Sequence, residues 1–202
     1  SIEPNLLFDD IIDFVSESKR FVPHFHIPLQ SGSDVLLKKM RRRYNQALYT
    51  KRIHKIRSTM PEACIGADLI VGFPGETESI FQETYDYLVG LDINYLHVFT
   101  YSERANTLAA EMTEVVPMQI RRERNERLRR LSEYKRLLFY RKHLDQDREV
   151  LFEKDNRDGL LAGYTDNYIR IQASEDIASV NDIKQVRLKR ISQQRVEVSL
   201  RE

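Results

Sequence analysis

The chain has 202 residues, of which 41% are hydrophobic and 31% charged, and its formal net charge is +1. This size allows one large domain or two small ones, and total charge excludes no class of partner. No apolar run approaches the ~20 residues of a membrane-spanning helix, and the first ten residues lack a signal-peptide pattern. The single cysteine, Cys64, excludes a disulfide framework and a self-contained iron–sulfur site, and it fits a reducing compartment. We therefore expect a cytoplasmic protein with no membrane partner.

Residues 1–146 alternate between helical and extended patterns. Apolar residues at three-to-four spacing predict helices over residues 6–17, 34–40, 48–60, 78–89 (capped by Thr77) and 117–143. Apolar runs predict strands over residues 24–30, 63–73 and 95–101. This alternation is typical of a parallel sheet or barrel with crossover helices. Three strands are too few to close a barrel, so we expect the N-terminal part of the barrel to be absent from this chain.

The pattern changes after residue 146. Residues 148–154, 160–164, 168–173, 183–191 and 195–200 are predicted as five short antiparallel strands, several with apolar residues at alternate positions. Five such strands in about 55 residues are typical of a small OB-like barrel. The sequence therefore predicts two domains, an α/β domain over residues 1–146 and an all-β domain over residues 147–202.

Positive charge is concentrated in two stretches. Residues 35–61 contain nine cations and no acidic residue, and the predicted helix 117–143 contains ten cations and three acids. Solvated helix faces would explain this, but we favour contact with a polyanion, because each neutralised phosphate releases counterions and so strengthens binding. A later basic cluster in the predicted barrel suits RNA as well. The cations that we expect to contact RNA are Lys38, Lys39, Arg41, Arg43, Lys189 and Arg190.

Polar residues stand near the ends of the predicted strands, where α/β barrels hold their chemistry. Gln30 ends the first strand, and Glu3 precedes the first helix. Asp68 lies inside an apolar strand, where a carboxylate is costly unless it finds partners. The hydroxyls of a ribose would supply them, and so would backbone amides or an arginine. Among the histidines only His24 and His26 have a metal-ligand spacing, and with no third ligand in view the sequence predicts no metal site.

Four motifs together resemble the radical-SAM methylthiotransferases. They are Ser1-Ile-Glu-Pro, His26-Ile-Pro-Leu-Gln-Ser-Gly-Ser33, Met40-Arg-Arg-Arg-Tyr44 and Asp68-Leu-Ile-Val-Gly-Phe-Pro-Gly-Glu-Thr77. The motif Tyr95-Leu-His-Val-Phe-Thr-Tyr-Ser102 is similar to the subgroup that acts on N6-threonylcarbamoyladenosine in tRNA. Gly163-Tyr-Thr-Asp-Asn-Tyr-Ile-Arg170 resembles a TRAM domain. The resemblance covers essentially the whole chain.

The resemblance implies the C-terminal portion of a partial (βα)6 radical-SAM barrel, followed by a TRAM barrel that binds tRNA. The full enzymes use S-adenosylmethionine (SAM), two [4Fe–4S] clusters and an electron donor, and one cluster sits on a Cys-x3-Cys-x2-Cys loop that this chain lacks. Carried over by motif, Arg42 would pair with the carboxylate of SAM, and Glu3 would bind its amino group. Gln30 and Asp68 would hold the ribose, and Gly72 would let the strand pass close to the cofactor. No residue is carried over as catalytic.

One loop departs from the family, which usually has Tyr-Ser-Pro-Arg-Pro-Gly-Thr where this chain has Tyr101-Ser-Glu-Arg-Ala-Asn-Thr107. We expect a more flexible loop there. The sequence as a whole predicts a C-terminal fragment of an enzyme that adds a methylthio group to C2 of N6-threonylcarbamoyladenosine at position 37 of tRNA. We expect the fragment alone to be inactive. The alternatives are a non-catalytic tRNA-binding module and another radical-SAM enzyme, such as a coproporphyrinogen-oxidase-like protein, which would lack the C-terminal barrel.

Overall fold

The computed structural model describes residues 1–154 and 159–200. The chain divides into two compact units, one of Ser1–Ser18 and Phe25–Lys135 and the other of Lys19–His24 and Arg136–Glu202. The division falls inside the long helix, whereas the sequence pattern changes only after it. The domain boundary at residues 146/147 therefore stays a prediction based on pattern.

The α/β unit contains a three-stranded sheet in the order β1-β2-β3, in which β2 and β3 run parallel. Its strands are β1 (His24–His26), β2 (Cys64–Val71) and β3 (Tyr95–Thr100). The helices are α1 (Asp9–Glu17), α2 (Asp34–Lys39), α3 (Gln46–Thr59), α4 (Glu78–Gly90) and α5 (Met118–Lys142), with a 3-10 helix at Leu108–Glu111. This confirms the predicted α/β class with a parallel sheet. Of the residues described, no helix combines the length and apolar character that crossing a bilayer requires.

Local chemistry explains where these elements begin and end. The Thr77 hydroxyl accepts a hydrogen bond from the Ile80 backbone N–H at 3.2 Å, which confirms it as the cap of α4. The first strand is shorter than predicted, although the chain beyond it still bonds to β2, since Ile27 N donates to Gly66 O at 2.9 Å and Leu29 N to Asp68 O at 3.2 Å. Pairing resumes beyond it as an isolated parallel bridge between Gln30 and Leu69.

The alternation along β2 separates the two faces of the sheet. Ile65, Ala67, Leu69 and Val71 are buried in a core that also contains side chains of α1, α3, α4 and α5. Asp68 and Ile70 are only partly buried and lie on the opposite face. In β3, His97 and Phe99 are exposed on that same side, while Leu96 is buried. We call the side with Asp68, Ile70, His97 and Phe99 the open face of the sheet.

The second unit contains a closed five-stranded barrel in the order β4-β5-β6-β8-β7. Its strands are β4 (Asp147–Lys154), β5 (Leu160–Thr165), β6 (Arg170–Ser174), β7 (Ile183–Ser192) and β8 (Arg195–Leu200). The predicted small barrel is confirmed, but its strands are not all antiparallel, since β6 and β8 pair in parallel. The reason is geometric: strand directions cannot alternate around a closed ring with an odd number of members, so at least one pair must be parallel.

Candidate functional site

Glu3 and Arg42, which are far apart in the sequence, form an ion pair in the α/β unit. Arg42 Nη1 lies 3.2 Å from Glu3 Oε1, and the side chains remain 29% and 43% exposed. Glu3 is positioned by a turn, because its carbonyl accepts hydrogen bonds from Leu6 N and Leu7 N at 2.9 and 3.1 Å. A cation and a carboxylate that both face solvent can together bind the two charged ends of an amino acid.

The C-terminus of α2 positions Arg42. Arg41 adopts a left-handed conformation with φ 56°. Its N–H donates to Lys38 O at 3.0 Å, and the Arg42 N–H donates to Leu37 O at 2.9 Å. These two bonds define a Schellman motif, in which the left-handed position usually belongs to glycine. The basic segment 41–43 therefore does more than add surface charge. It ends α2 and directs Arg42 toward Glu3.

Gln30 and Asp68 meet through their backbones where the segment that follows β1 runs beside β2. Gln30 N donates to Asp68 O at 2.7 Å, and Ile70 N donates to Gln30 O at 2.9 Å. Gln30 has a positive φ of 71° although it is not glycine. Such backbone strain is concentrated at functional sites, because the surrounding structure must hold it in place. The structure thus brings together two of the residues that the sequence assigned to one ligand.

The side chain of Asp68 has partners that the sequence analysis missed. Its Oδ1 lies 2.7 Å from His26 Nε2 and 3.3 Å from His97 Nδ1. The partners considered from sequence were ribose hydroxyls, backbone amides or an arginine, and the structure instead supplies two imidazoles. His97 and Asp68 are direct partners in the parallel register of β2 and β3. The sequence shows that each of the three residues is a polar residue within an apolar strand. Only the strand register shows that their side chains meet.

Tyr44 lies between the Glu3–Arg42 pair and the Gln30–Asp68 pair. Its hydroxyl lies 3.1 Å from Pro28 O and 3.2 Å from Leu29 O, both within reach of its single O–H. Burial raises the pKa of Tyr44 to about 12, opposed by the nearby positive charge of Arg42 and assisted by the negative charge of Glu3 and Asp68. The tyrosine therefore stays protonated and fixes the segment before Gln30.

Gly72 has a clear role within the fold. It adopts φ 77°, and an added Cβ would lie 2.3 Å from Arg121 Cγ. Its N–H donates to Glu76 Oε1 at 2.9 Å. The space beside its α carbon is therefore filled by the Arg121 side chain. The role of Gly72 beside a cofactor stays a prediction, and its contacts here are with the loop and with α5.

The cations assigned to RNA differ in their surroundings. Lys39 Nζ lies 2.6 Å from Glu114 Oε2, and Arg190 Nε lies 2.5 Å from Glu197 Oε2. The other four are exposed, and within residues 1–154 and 159–200 no ion pair joins them to an acid. They are Lys38, Arg41, Arg43 and Lys189.

Several cations of α5 stabilise the fold instead of facing a polyanion. Arg121 is 2% exposed and donates to Val116 O at 2.7 Å, to Tyr101 O at 2.9 Å and to Glu103 Oε1 at 2.6 Å. Arg124 is 4% exposed. Lys135 Nζ donates to Leu91 O at 2.8 Å, and burial lowers its pKa. The inference of RNA contact from this helix is thereby weakened, because a count of charges in the sequence includes arginines whose partners are internal.

The residues present fit SAM better than they fit an iron–sulfur cluster. Arg42 Nε is buried and has no hydrogen-bond partner in the described part of the chain, so this arginine can bind a further acceptor. The Glu3–Arg42 pair matches the amino and carboxylate groups of the methionine part of SAM. In contrast, Cys64 is the chain's one cysteine and is buried, and burial raises its pKa to about 12. A cluster needs several thiolates, so these residues do not fit one.

Comparison with known proteins agrees with this geometry. The family model of the Radical SAM superfamily matches residues 1–88. Threonylcarbamoyladenosine tRNA methylthiotransferase MtaB of Bacillus subtilis (strain 168) is 36% identical over 183 residues, which are 88% of this chain and 41% of that protein. MtaB of Rickettsia prowazekii is 38% identical over 178 residues with the same coverage. The tRNA-2-methylthio-N(6)-dimethylallyladenosine synthase of Nocardia farcinica is 44% identical over 151 residues, 75% of this chain and 30% of that protein.

The fold has a parallel among solved structures. Coproporphyrinogen III oxidase (HemN) from Escherichia coli, described as a radical SAM enzyme, aligns with a TM-score of 0.56 over 82% of this chain and 45% of that one. At 11% identity this likeness shows the fold alone. The chain belongs to the radical SAM superfamily, on the match of residues 1–88. Within it, the chain belongs to the tRNA methylthiotransferase family and is related to the MtaB proteins, of whose length it spans about two fifths.

Proposed function

We propose that this chain is part of an enzyme that transfers a methylthio group to C2 of N6-threonylcarbamoyladenosine at position 37 of tRNA. The observation that carries the proposal is the similarity to MtaB proteins, at 36% and 38% identity over 88% of the chain. The partly exposed Glu3–Arg42 pair supports it, because its two charges suit the cofactor that such chemistry requires.

In the proposed complex, SAM would supply the radical and the methyl group, and the sulfur atom of the methylthio group would come from outside this chain. Arg42 would bind the carboxylate of SAM, and Glu3 would bind its amino group. Each charge of the cofactor would then face an opposite charge of the protein. Gln30 and Asp68 bind the ribose hydroxyls, and this requires Asp68 to share its carboxylate with His26 and His97. The [4Fe–4S] clusters and the contact with their electron donor lie on parts of the protein outside this chain. The chain alone is therefore inactive.

The tRNA would be held by exposed cations and by the barrel, which we assign to the TRAM class. In the second unit, the ring of Tyr168 already stacks on those of Tyr164 and His24, with centroids 4.6 and 3.8 Å apart. The assignment therefore relies on the cations, which neutralise phosphates. The protein would act in the cytoplasm, in keeping with its single reduced cysteine.

Binding of SAM to the 202-residue chain, measured by calorimetry, tests the cofactor site. Arg42→Ala should weaken binding about 10–100-fold, the worth of a hydrogen bond to a charged group. Arg43→Ala is the matched control, because Arg43 is an exposed neighbour outside the Glu3 pair. Equal affinities of the two variants would overturn the assignment of Arg42. A [4Fe–4S] absorption band after reconstitution with iron and sulfide would contradict the proposed inactivity.

The substrate is tested with anticodon stem-loops that carry threonylcarbamoyl, dimethylallyl or unmodified adenosine. We expect the tightest binding to the threonylcarbamoyl form. Neutralising Lys38 should lower the salt dependence of binding by about one phosphate contact, whereas Lys39→Gln should have less effect because Lys39 is paired with Glu114. Equal binding of the three stem-loops would contradict the proposed substrate.

A non-catalytic tRNA-binding module has support in one observation, the lack of cluster cysteines. The two functions differ in their cofactor. A module would bind the stem-loops but not SAM, whereas part of a methylthiotransferase would bind both.

A further inference from the structure

Three side chains from three adjacent strands converge on the open face of the sheet. They are His26 of β1, Asp68 of β2 and His97 of β3. The His26 Nε2 and His97 Nδ1 atoms lie 2.7 and 3.3 Å from Asp68 Oδ1, and the three donor atoms all lie within 4.8 Å of one another. Asp68 and His97 are register partners on β2 and β3, and His26 reaches the same carboxylate from β1.

The spacing of these atoms matches ligands around one metal ion. Imidazole nitrogen and carboxylate oxygen bind zinc at about 2.0–2.2 Å, so that neighbouring ligand atoms around one ion lie about 3.0–3.5 Å apart. The separations of 2.7 and 3.3 Å from Asp68 Oδ1 lie within a few tenths of an ångström of that range, and the two nitrogens lie within 4.8 Å of each other. Both imidazole nitrogens thus face the same carboxylate oxygen.

The donor set determines the chemical class of the ion. Two imidazole nitrogens and one carboxylate oxygen suit zinc and other first-row transition metals, whereas calcium and magnesium prefer oxygen ligands only. The His97 side chain is 54% exposed, and those of His26 and Asp68 are 22% and 18% exposed. Solvent therefore reaches the cluster, and three protein ligands leave at least one coordination position open.

The surroundings hold the cluster in place. The ring of Tyr95 lies 5.1 Å from that of His97. Tyr95 reaches across β2 because Gly66 has no side chain, and a Cβ there would lie 2.1 Å from Tyr95 Cζ. The backbone of Asp68 is fixed by the hydrogen bond from Gln30 N. Ligands that are oriented before the ion arrives bind it with less loss of conformational freedom.

We propose that His26, Asp68 and His97 bind a divalent first-row transition metal ion, in particular Zn²⁺, on the open face of the sheet. The inference does not rest on the proposed function. The two meet only at Asp68, which the proposed function assigns to the ribose of SAM. An ion on this carboxylate would therefore weaken SAM binding.

Metal binding is tested on the untagged 202-residue chain after it has been stripped with a chelator. Co²⁺ serves as a visible probe and Zn²⁺ as its competitor, both in the absence of SAM. We expect one Co²⁺ per chain, displaced by one Zn²⁺. His97→Ala should weaken binding more than about 100-fold, because even partners in the second shell are worth about 10–100-fold. His54→Ala should bind normally, since His54 is an exposed histidine of α3 outside the cluster.

Three results would overturn the proposal. They are the absence of Co²⁺ and Zn²⁺ binding, equal affinities of His97→Ala and His54→Ala, and a thiolate charge-transfer band, which would assign the ion to Cys64. Circular dichroism checks that each variant is folded, and His26→Gln replaces His97→Ala if the latter is not. SAM titration of the stripped chain tests the proposed function separately, so either hypothesis can fail alone. A further titration at saturating Zn²⁺ should show weaker SAM binding.

Discussion

Loss of the buried Arg124–Glu76 ion pair should destabilise the α/β unit strongly. Arg124 Nη1 lies 2.8 Å from Glu76 Oε1 and 2.9 Å from Glu76 O, and the two side chains are only 5% and 2% exposed. Glu76 also accepts the Gly72 N–H at 2.9 Å, so the pair joins α5 to the loop after β2. The perturbation is Arg124→Met, which keeps the aliphatic stem and removes the charge.

The free energy of unfolding that Arg124→Met should lose follows from the burial of the ion pair. Removing one partner of a buried ion pair leaves the other charge without compensation and costs about 3–5 kcal/mol. Protonation of Glu76 limits this cost. Burial already raises the pKa of Glu76 from 4.5, against the lowering effects of the Gly72 N–H and Arg124. Without Arg124 the pKa must rise further.

The sign of the pH dependence follows from that shift. A carboxyl group whose pKa is raised in the folded state binds its proton more tightly there, so its contribution to stability is present at low pH and lost as pH rises through the raised value. The difference in the free energy of unfolding between wild type and Arg124→Met should therefore be largest near neutral pH. It should shrink as pH falls toward 4.5, the ordinary pKa of the group.

Urea unfolding followed by helical circular dichroism measures the loss, since α1–α4 and most of α5 belong to this unit. The matched control is Arg130→Met on the same helix, whose partner Glu126 is 63% exposed, and it should cost less than about 0.5 kcal/mol. Arg124→Met/Glu76→Gln should recover about 0.5–3 kcal/mol of the loss. The reasoning is refuted if Arg124→Met and Arg130→Met lie within about 1 kcal/mol of each other, or if the loss is the same at about pH 5 and about pH 8.

Three further predictions concern positions with unusual local structure. Gly66→Ala places a Cβ 2.1 Å from Tyr95 Cζ and should cost about 1–3 kcal/mol in urea unfolding, whereas no loss would mean that the ring moves freely. Arg41→Gly should stabilise the chain by about 0.5–1 kcal/mol, because relief of a left-handed conformation outweighs the added freedom of the unfolded glycine. The control Arg43→Gly should instead destabilise it, and equal effects would contradict the role of the left-handed position. Alkylation of Cys64 at neutral pH should be far slower in the folded chain than in urea, since burial raises its pKa to about 12, and mass spectrometry would detect a contrary result.

Much of the fold could be predicted because its determinants are local. The helices and strands of the α/β unit follow from apolar spacing, and Thr77 was identified as a cap from its position alone. The first strand ends at His26, earlier than the pattern predicts. In the barrel, alternating residues predicted the strands, but the parallel pairing of β6 and β8 depends on closure of the whole ring.

The candidate site also has residues that the sequence identified and residues that only the structure revealed. Sequence motifs identified Glu3, Arg42, Gln30 and Asp68, and the structure brings the first pair into contact and the second pair side by side. His97 could not be found from spacing, because it lies 29 positions beyond Asp68 and meets it only through the strand register. A metal site appeared excluded from the sequence for the same reason, as a third ligand on another strand has no local signal.

By itself, the sequence determined the order of the elements, the change from α/β to all-β and the motif residues, because periodicity and turn chemistry act over a few residues. Only the tertiary structure decided which charges face solvent. Arg121 and Arg124 belong to the same basic helix as Arg130, yet two are buried and one is exposed. Placing a charge at the surface costs little free energy, whereas burying it costs much unless it finds an opposite charge. Arg124 and Arg121 find theirs in Glu76 and Glu103, which no local sequence pattern identifies.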